Sequence, residues 1–153
     1  MPVSYFGRHK QADVSNRYYS DLVAMARDVD TLVVITPGGP GTNKLINAAV
    51  LQALGPRGIL INVSRGSVVD EEALITALKN RTIMAAGLDV YMGEPKINPA
   101  FLTLDNATLL PHVGSASVHT RDAMGQLVVD NLAAYVDRKP PKTPVPETPF
   151  KGW

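Results

Sequence analysis

The 153-residue sequence contains no cysteine. Disulfides, zinc–thiolate sites, iron–sulfur clusters and thiol nucleophiles are thereby excluded. It lacks an excess of charge of either sign: the formal net charge is +1, and no basic stripe marks a nucleic-acid or membrane-surface binder. No apolar run approaches the ~20 residues of a membrane span. Met1-Pro2-Val3 has neither the basic stretch nor the cleavage site of a signal peptide. What is present is a hydrophobic content of 45%, enough for the core of one domain. Twelve glycines and twelve prolines point to tight connections between short elements. Together these features predict a soluble, cytoplasmic α/β domain.

Hydrophobic patterning predicts five strands. They are a short run at 3–6, then 31–36, 58–63, 83–88 and 107–110, and the 31–36 run is apolar on both faces, as a covered parallel strand should be. Helices are predicted after Ser20-Asp21, over 43–54, after Asp70, and from Ser117 to about Val136, with Ser and Asp as caps. In the long last helix Met124, Leu127, Val128, Leu132 and Tyr135 recur at helical spacing. Residues 1–138 read as the folded part, and 139–153, with five prolines, as an extended tail. Strands and helices alternate, which implies a Rossmann-like doubly wound parallel sheet with helices on both faces.

In such sheets ligands bind beyond the carboxyl ends of the strands. Arg65 follows the third predicted strand, Glu94 the fourth and His112 the fifth, so topology places all three on one edge. Singly, Arg65 reads as a solvated loop arginine, Glu94-Pro95 as an acidic turn, His112 as a structural histidine and Arg8 as a surface cation. The coincidence of Arg65, Glu94 and His112 on one edge favours a site. Pro37-Gly38-Gly39-Pro40-Gly41 is a poor phosphate cradle, because two of its five residues have no N–H. His9 and His119 read as surface residues.

These residues carry a family resemblance. Asn62-Val63-Ser64-Arg65-Gly66 with Val69-Asp70-Glu71, then Gly87-Leu88-Asp89-Val90 with Glu94-Pro95, then Pro111-His112-Val113-Gly114-Ser115 resemble, in order, three signatures of the D-isomer-specific 2-hydroxyacid dehydrogenases. The likeness covers nearly all of residues 3–146 and is nearest to the bacterial glyoxylate/hydroxypyruvate reductases. It implies three catalytic roles. Arg65 would hold the substrate carboxylate and keto oxygen bidentately, which lysine cannot do. His112 would give the keto oxygen its proton. Glu94 would pair with His112, favouring the imidazolium and fixing the ring.

The resemblance also implies a nicotinamide cofactor, since no side chain can supply a hydride. Members that use NAD have an acidic residue after the second strand of the fold. Here that place reads Gly7-Arg8, and an arginine suits a 2′-phosphate, so NADPH is expected over NADH, with help from Lys10. Thr36, Pro37, Val63, Ser64, Asp89 and Gly114 would line the nicotinamide and ribose. The expected substrate is a small 2-keto acid reduced to the D-2-hydroxy acid, with no metal, nucleic acid or membrane, in a homodimer.

The sequence departs from the family in one large respect: it has no G-x-G-x-x-G. The first strand, glycine loop and first helix are expected to be missing, with Met1 an internal methionine of a longer chain. In the strand order 3-2-1-4-5-6 the predicted strands would be numbers 2 to 6, leaving a pair (3-2) apart from a trio (4-5-6). An alternative reading is a non-catalytic remnant or cofactor-domain module without turnover. A weaker one is another cofactor-binding α/β domain, such as a methyltransferase.

Overall fold

The computed structural model describes residues 1–145, 147 and 149–152. Of the predicted tail, Pro146, Thr148 and Trp153 lie outside the described residues. The chain divides into two compact units, Met1–His112 and Val113–Trp153.

The first unit contains β1 (Ser4–Phe6), β2 (Arg17–Tyr19), α1 (Leu22–Asp28), β3 (Thr31–Val34), α2 (Ala48–Leu54), β4 (Ile59–Asn62), α3 (Glu71–Lys79), β5 (Ala85–Leu88) and β6 (Ala107–Leu109). Every strand pairing is parallel. β1 and β2 form one sheet, and β3-β4-β5-β6 form a second. The alternation of strand and helix makes the fold Rossmann-like α/β, as the sequence implied.

Two expectations need correction. The pair-and-trio split is a pair and a quartet, because residues 17–19 form a strand the sequence reading did not contain. It is only three residues long, and side-chain packing holds it. Tyr5 and Tyr18 lie with ring centroids 5.3 Å apart, Tyr19 is buried, and the Arg17 guanidinium stacks over the Tyr19 ring at 4.4 Å. The 31–36 run therefore pairs not with β1 but with β4.

The second correction concerns α2, which begins at Ala48 rather than 43. Asn43 and Lys44 form a turn, with Lys44 at a φ of +50°, and Ile46 is buried and bridges in parallel to Val69, so the helix starts only after it. Asn47 then caps the helix, its Oδ1 accepting from the N–H of Ala49 and Val50 at 3.0 and 3.2 Å. Asp21 and Asp70 cap α1 and α3 as their spacing predicted.

The core gathers one face of the quartet (Leu32, Val34, Leu60, Ala86, Leu88) with apolar residues of α1, α2 and α3, closed at one end by Phe101. Along β3 the alternate residue Val33 is 52% exposed, and Ile35 just beyond the strand is 75% exposed. The three α-helices of this unit all contribute to that one core, while on the sheet's other face Ile59 and Ile61 of β4 are only partly buried.

The second unit is built on α4 (Val118–Val136), capped by the Ser117 hydroxyl, which accepts from the Thr120 N–H at 3.1 Å. Its Met124, Leu127, Val128, Leu132 and Tyr135 are exposed. Asn131 Nδ2 donates to the Thr143 hydroxyl, and Asp130 pairs with Lys142, which ties residues 142–143 back to the helix. Among the described residues no helix is long and apolar enough to cross a membrane.

Candidate functional site

β4, β5 and β6 lie side by side and parallel, so their carboxyl ends open on one edge, and the loops that leave them carry Arg65, Glu94 and His112. The first loop is a tight clasp around Asn62, the last residue of β4 and 1% exposed. Its Oδ1 accepts from the Ser64 N–H at 3.1 Å and the Ser64 hydroxyl at 2.9 Å, while its Nδ2 donates to the Arg65 carbonyl at 3.2 Å. An asparagine bonding the backbone two residues on is a recurrent way to close such a turn. Arg65 is exposed, and its Nη1 donates to the Ser64 carbonyl at 2.6 Å.

The second loop holds Glu94 by both oxygens. Oε1 accepts from the Tyr91 N–H at 2.8 Å, and Oε2 lies 2.7 Å from His112 Nδ1. The bond to His112, then that to the Tyr91 amide, pulls the Glu94 carboxyl below the ordinary glutamate range, because both favour the anion. His112 stands directly after Pro111 at a φ of +55°. That left-handed backbone is uncommon for a non-glycine residue and turns the ring toward Glu94. Side-chain exposure is 50% for His112 and 31% for Glu94, so the pair is open to a ligand. With Nδ1 engaged, Nε2 is the nitrogen left to face outward.

The loops are locked together. A Cβ on Gly66 would lie 2.0 Å from the Tyr91 carbonyl carbon and 2.4 Å from the Met92 nitrogen, so glycine is required here for close approach. Glu71 Oε2 accepts from the Met92 N–H at 3.2 Å. The Tyr91 hydroxyl lies 2.9 Å from both the Leu88 and the Leu110 carbonyls, joining the end of β5 to the end of β6. Sequence reasoning quoted Asn62, Gly66 and Glu71 within motifs but gave them no part in the site, and it missed Tyr91. The signal it could have used was an asparagine ending an apolar strand two residues before a serine.

The expected cofactor-side residues divide. Thr36 and Pro37 follow β3, Val63 and Ser64 follow β4, and Asp89 follows β5, all at the same edge as Arg65. Asp89 is buried, and its N–H donates to the Asn62 carbonyl at 3.0 Å. Arg8 stands apart, exposed after β1 in the two-stranded sheet. Gly114 belongs to the second unit. The Thr36 hydroxyl is a buried oxygen with no hydrogen-bond partner, and Val63 is half exposed nearby in the fold's order of strand ends. An unpaired polar atom beside exposed apolar carbon suits one end of a flat, partly polar ring. These residues fit the nicotinamide–ribose half of a dinucleotide; the sequence contains no G-x-G-x-x-G for its pyrophosphate.

A family profile described as D-isomer specific 2-hydroxyacid dehydrogenase, NAD binding domain, matches residues 1–114. The chain is 47% identical over 145 residues to a 2-ketogluconate reductase of Gluconobacter oxydans, covering 95% of this chain and 47% of that protein. It is 43% identical over 143 residues to a glyoxylate/hydroxypyruvate reductase B of Enterobacter agglomerans, covering 91% and 44%. Among solved structures it resembles the NADPH-dependent glyoxylate/hydroxypyruvate reductase of Sinorhizobium meliloti in complex with NADP and malonate. There the TM-score is 0.93 and the identity 54%, over 97% of this chain and 47% of that one. The chain thus spans about half the length of the relatives it matches.

Proposed function

Because the chain belongs to the D-isomer-specific 2-hydroxyacid dehydrogenases, through their NAD-binding domain, we propose that it supplies the acid–base and nicotinamide-side half of a reductase acting on a small 2-keto acid of the glyoxylate or hydroxypyruvate type. The observation that carries this reading is the 2.7 Å Glu94–His112 pair at the sheet edge, one strand away from the exposed Arg65. When bound, the reduced nicotinamide supplies a hydride to the keto carbon. His112, through Nε2, donates the proton that the keto oxygen takes up, help worth ~10²–10⁴-fold in rate. Glu94 holds the ring by Nδ1 and carries the negative charge that balances the imidazolium. Arg65 binds the substrate carboxylate, and its planar fork fixes the orientation of the keto group.

NADPH is the preferred cofactor in this reading, with Arg8 on the 2′-phosphate. The NADP complex of the Sinorhizobium relative supports nicotinamide binding in general and the phosphorylated form more weakly. Thr36, Pro37, Val63, Ser64 and Asp89 line the ring and ribose side.

The test is a chimera in which the N-terminal half of the Sinorhizobium reductase, up to the residue aligned with Met1, precedes this chain. With glyoxylate or hydroxypyruvate it consumes NADPH, read as loss of absorbance at 340 nm, and the isolated 153 residues show negligible turnover. A well-folded chimera that binds NADPH but reduces neither acid would instead mark the chain as a cofactor-domain module without turnover.

A further inference from the structure

Nothing in the proposed chemistry uses Asn62, yet the chain buries its amide completely and engages both ends of it. We propose that Asn62 is a positioning residue that sets how Arg65 meets the substrate carboxylate; the proposal rests on the reading of Arg65 given above. Arg65 has no carboxylate partner among the described residues to fix its direction. Its stem is flanked by Gly38, where a Cβ would come within 3.0 Å of the arginine Cγ. Its guanidinium rests on the Ser64 carbonyl at 2.6 Å. Its own carbonyl and the Ser64 N–H, which flank that Ser64 carbonyl along the chain, are both held by the Asn62 side chain.

The geometry separates this role from simple strand termination. Closing the turn needs only the acceptor: Oδ1 satisfies the N–H and hydroxyl of Ser64. The donor half reaches one residue further, to Arg65 itself. Aspartate is nearly the same shape and keeps the acceptor but, as an anion, loses the donor. Leucine matches the size and keeps neither. The main-chain carbonyl of Asn62 also accepts from Asp89, so the residue registers the arginine loop against the loop that leads to Glu94.

Asn62→Asp and Asn62→Ala are compared in the chimera, each with Arg65 intact and with Arg65→Ala. A misdirected substrate clamp costs about tenfold to a hundredfold. Each Asn62 variant should therefore raise KM for the keto acid by a factor in that range, and by more than it raises KM for NADPH. In the Arg65→Ala background the same substitutions should leave kcat/KM unchanged, because the group they act through is gone. Equal losses in both backgrounds would overturn the proposal, as would variants that lower only the melting temperature.

A second measurement needs no turnover: the Arg65 Nε–H resonance of the 153-residue chain, followed by NMR relaxation. Ordered in the native chain, it should gain the mobility of a free side chain in Asn62→Asp. If it keeps its order, Asn62 does not position Arg65, whatever the kinetics. If the parent chimera is inactive, or Arg65→Ala leaves its activity intact, the function assigned to Arg65 falls, and the resonance still decides the part played by Asn62.

Discussion

At the scale of single residues, the Glu94–His112 pair makes two separate demands. It must hold a ring in place, and it must keep a negative charge beside it. Glu94→Gln removes the charge: its amide oxygen can still accept from the Tyr91 N–H, but its NH2 then faces His112 Nδ1, so the ring keeps a bond only as a neutral imidazole with Nδ1 accepting. In the chimera we expect kcat to fall about 10²-fold, with KM for the keto acid changed only a few-fold, by steady-state kinetics. The same substitution has a pH signature in stability. The folded chain holds the Glu94 carboxyl below its ordinary range, so the unfolded chain binds the proton more readily. The contribution is complete above the ordinary glutamate range and is lost as pH falls through the lower folded value. The gap in melting temperature between native and Glu94→Gln chains should be widest near neutrality and close in strong acid. Arg8 is tested by discrimination rather than rate: Arg8→Ala should lower kcat/KM for NADPH about tenfold and leave that for NADH nearly unchanged, in keeping with the loss of one charge-assisted phosphate contact.

At the scale of elements, the site depends on loops pressed closer than any side chain allows. Gly66→Ala places a carbon 2.0 Å from the Tyr91 backbone, so the loops after β4 and β5 must part. Overpacking of this kind costs about 1–3 kcal/mol or more, read as a drop in the urea midpoint. Gly125→Ala is the control. Gly125 lies inside α4, and its added carbon meets nothing within 4 Å, so the change should be neutral or stabilising by up to about 1 kcal/mol. The contrast between these glycines was not legible in the sequence, since Gly66 meets a partner far along the chain. Signals that act over a few residues were legible. Asp21, Asp70 and Ser117 each cap the helix that follows, and the three motifs fall at consecutive strand ends. β2 was hidden because three residues carry too little pattern, and the late start of α2 because Ile46 is drawn out of the helix by Val69, a partner in another loop. Tyr91 stayed out of view for the same reason: its hydroxyl reaches Leu110, 19 residues on.

At the scale of the whole molecule, the sheet is interrupted. Among the described residues β1 pairs only with β2, and β3 only with β4, so each has one edge of backbone N–H and C=O groups with no strand beside it. In the strand order of dinucleotide-binding folds, β1 and β3 are the two strands that flank the central first strand, and no strand among the described residues takes that place. Unpaired edges of apolar strands recruit other strands, and β3 carries the exposed Val33 on its face away from the core. A polypeptide of these 153 residues alone should therefore self-associate as its concentration rises, seen by light scattering after size exclusion. The chimera, with its own first strand in place, should stay at one discrete mass. Val33→Lys puts a charge on the edge strand, a substitution that opposes edge-to-edge pairing. It should keep the isolated chain monodisperse to a concentration about tenfold higher while changing the chimera's mass not at all. If Val33→Lys leaves the association of the short chain untouched, the contact runs through another surface, and the exposed apolar side chains of α4 (Val128, Leu132 and Val136) become the next to be charged in turn.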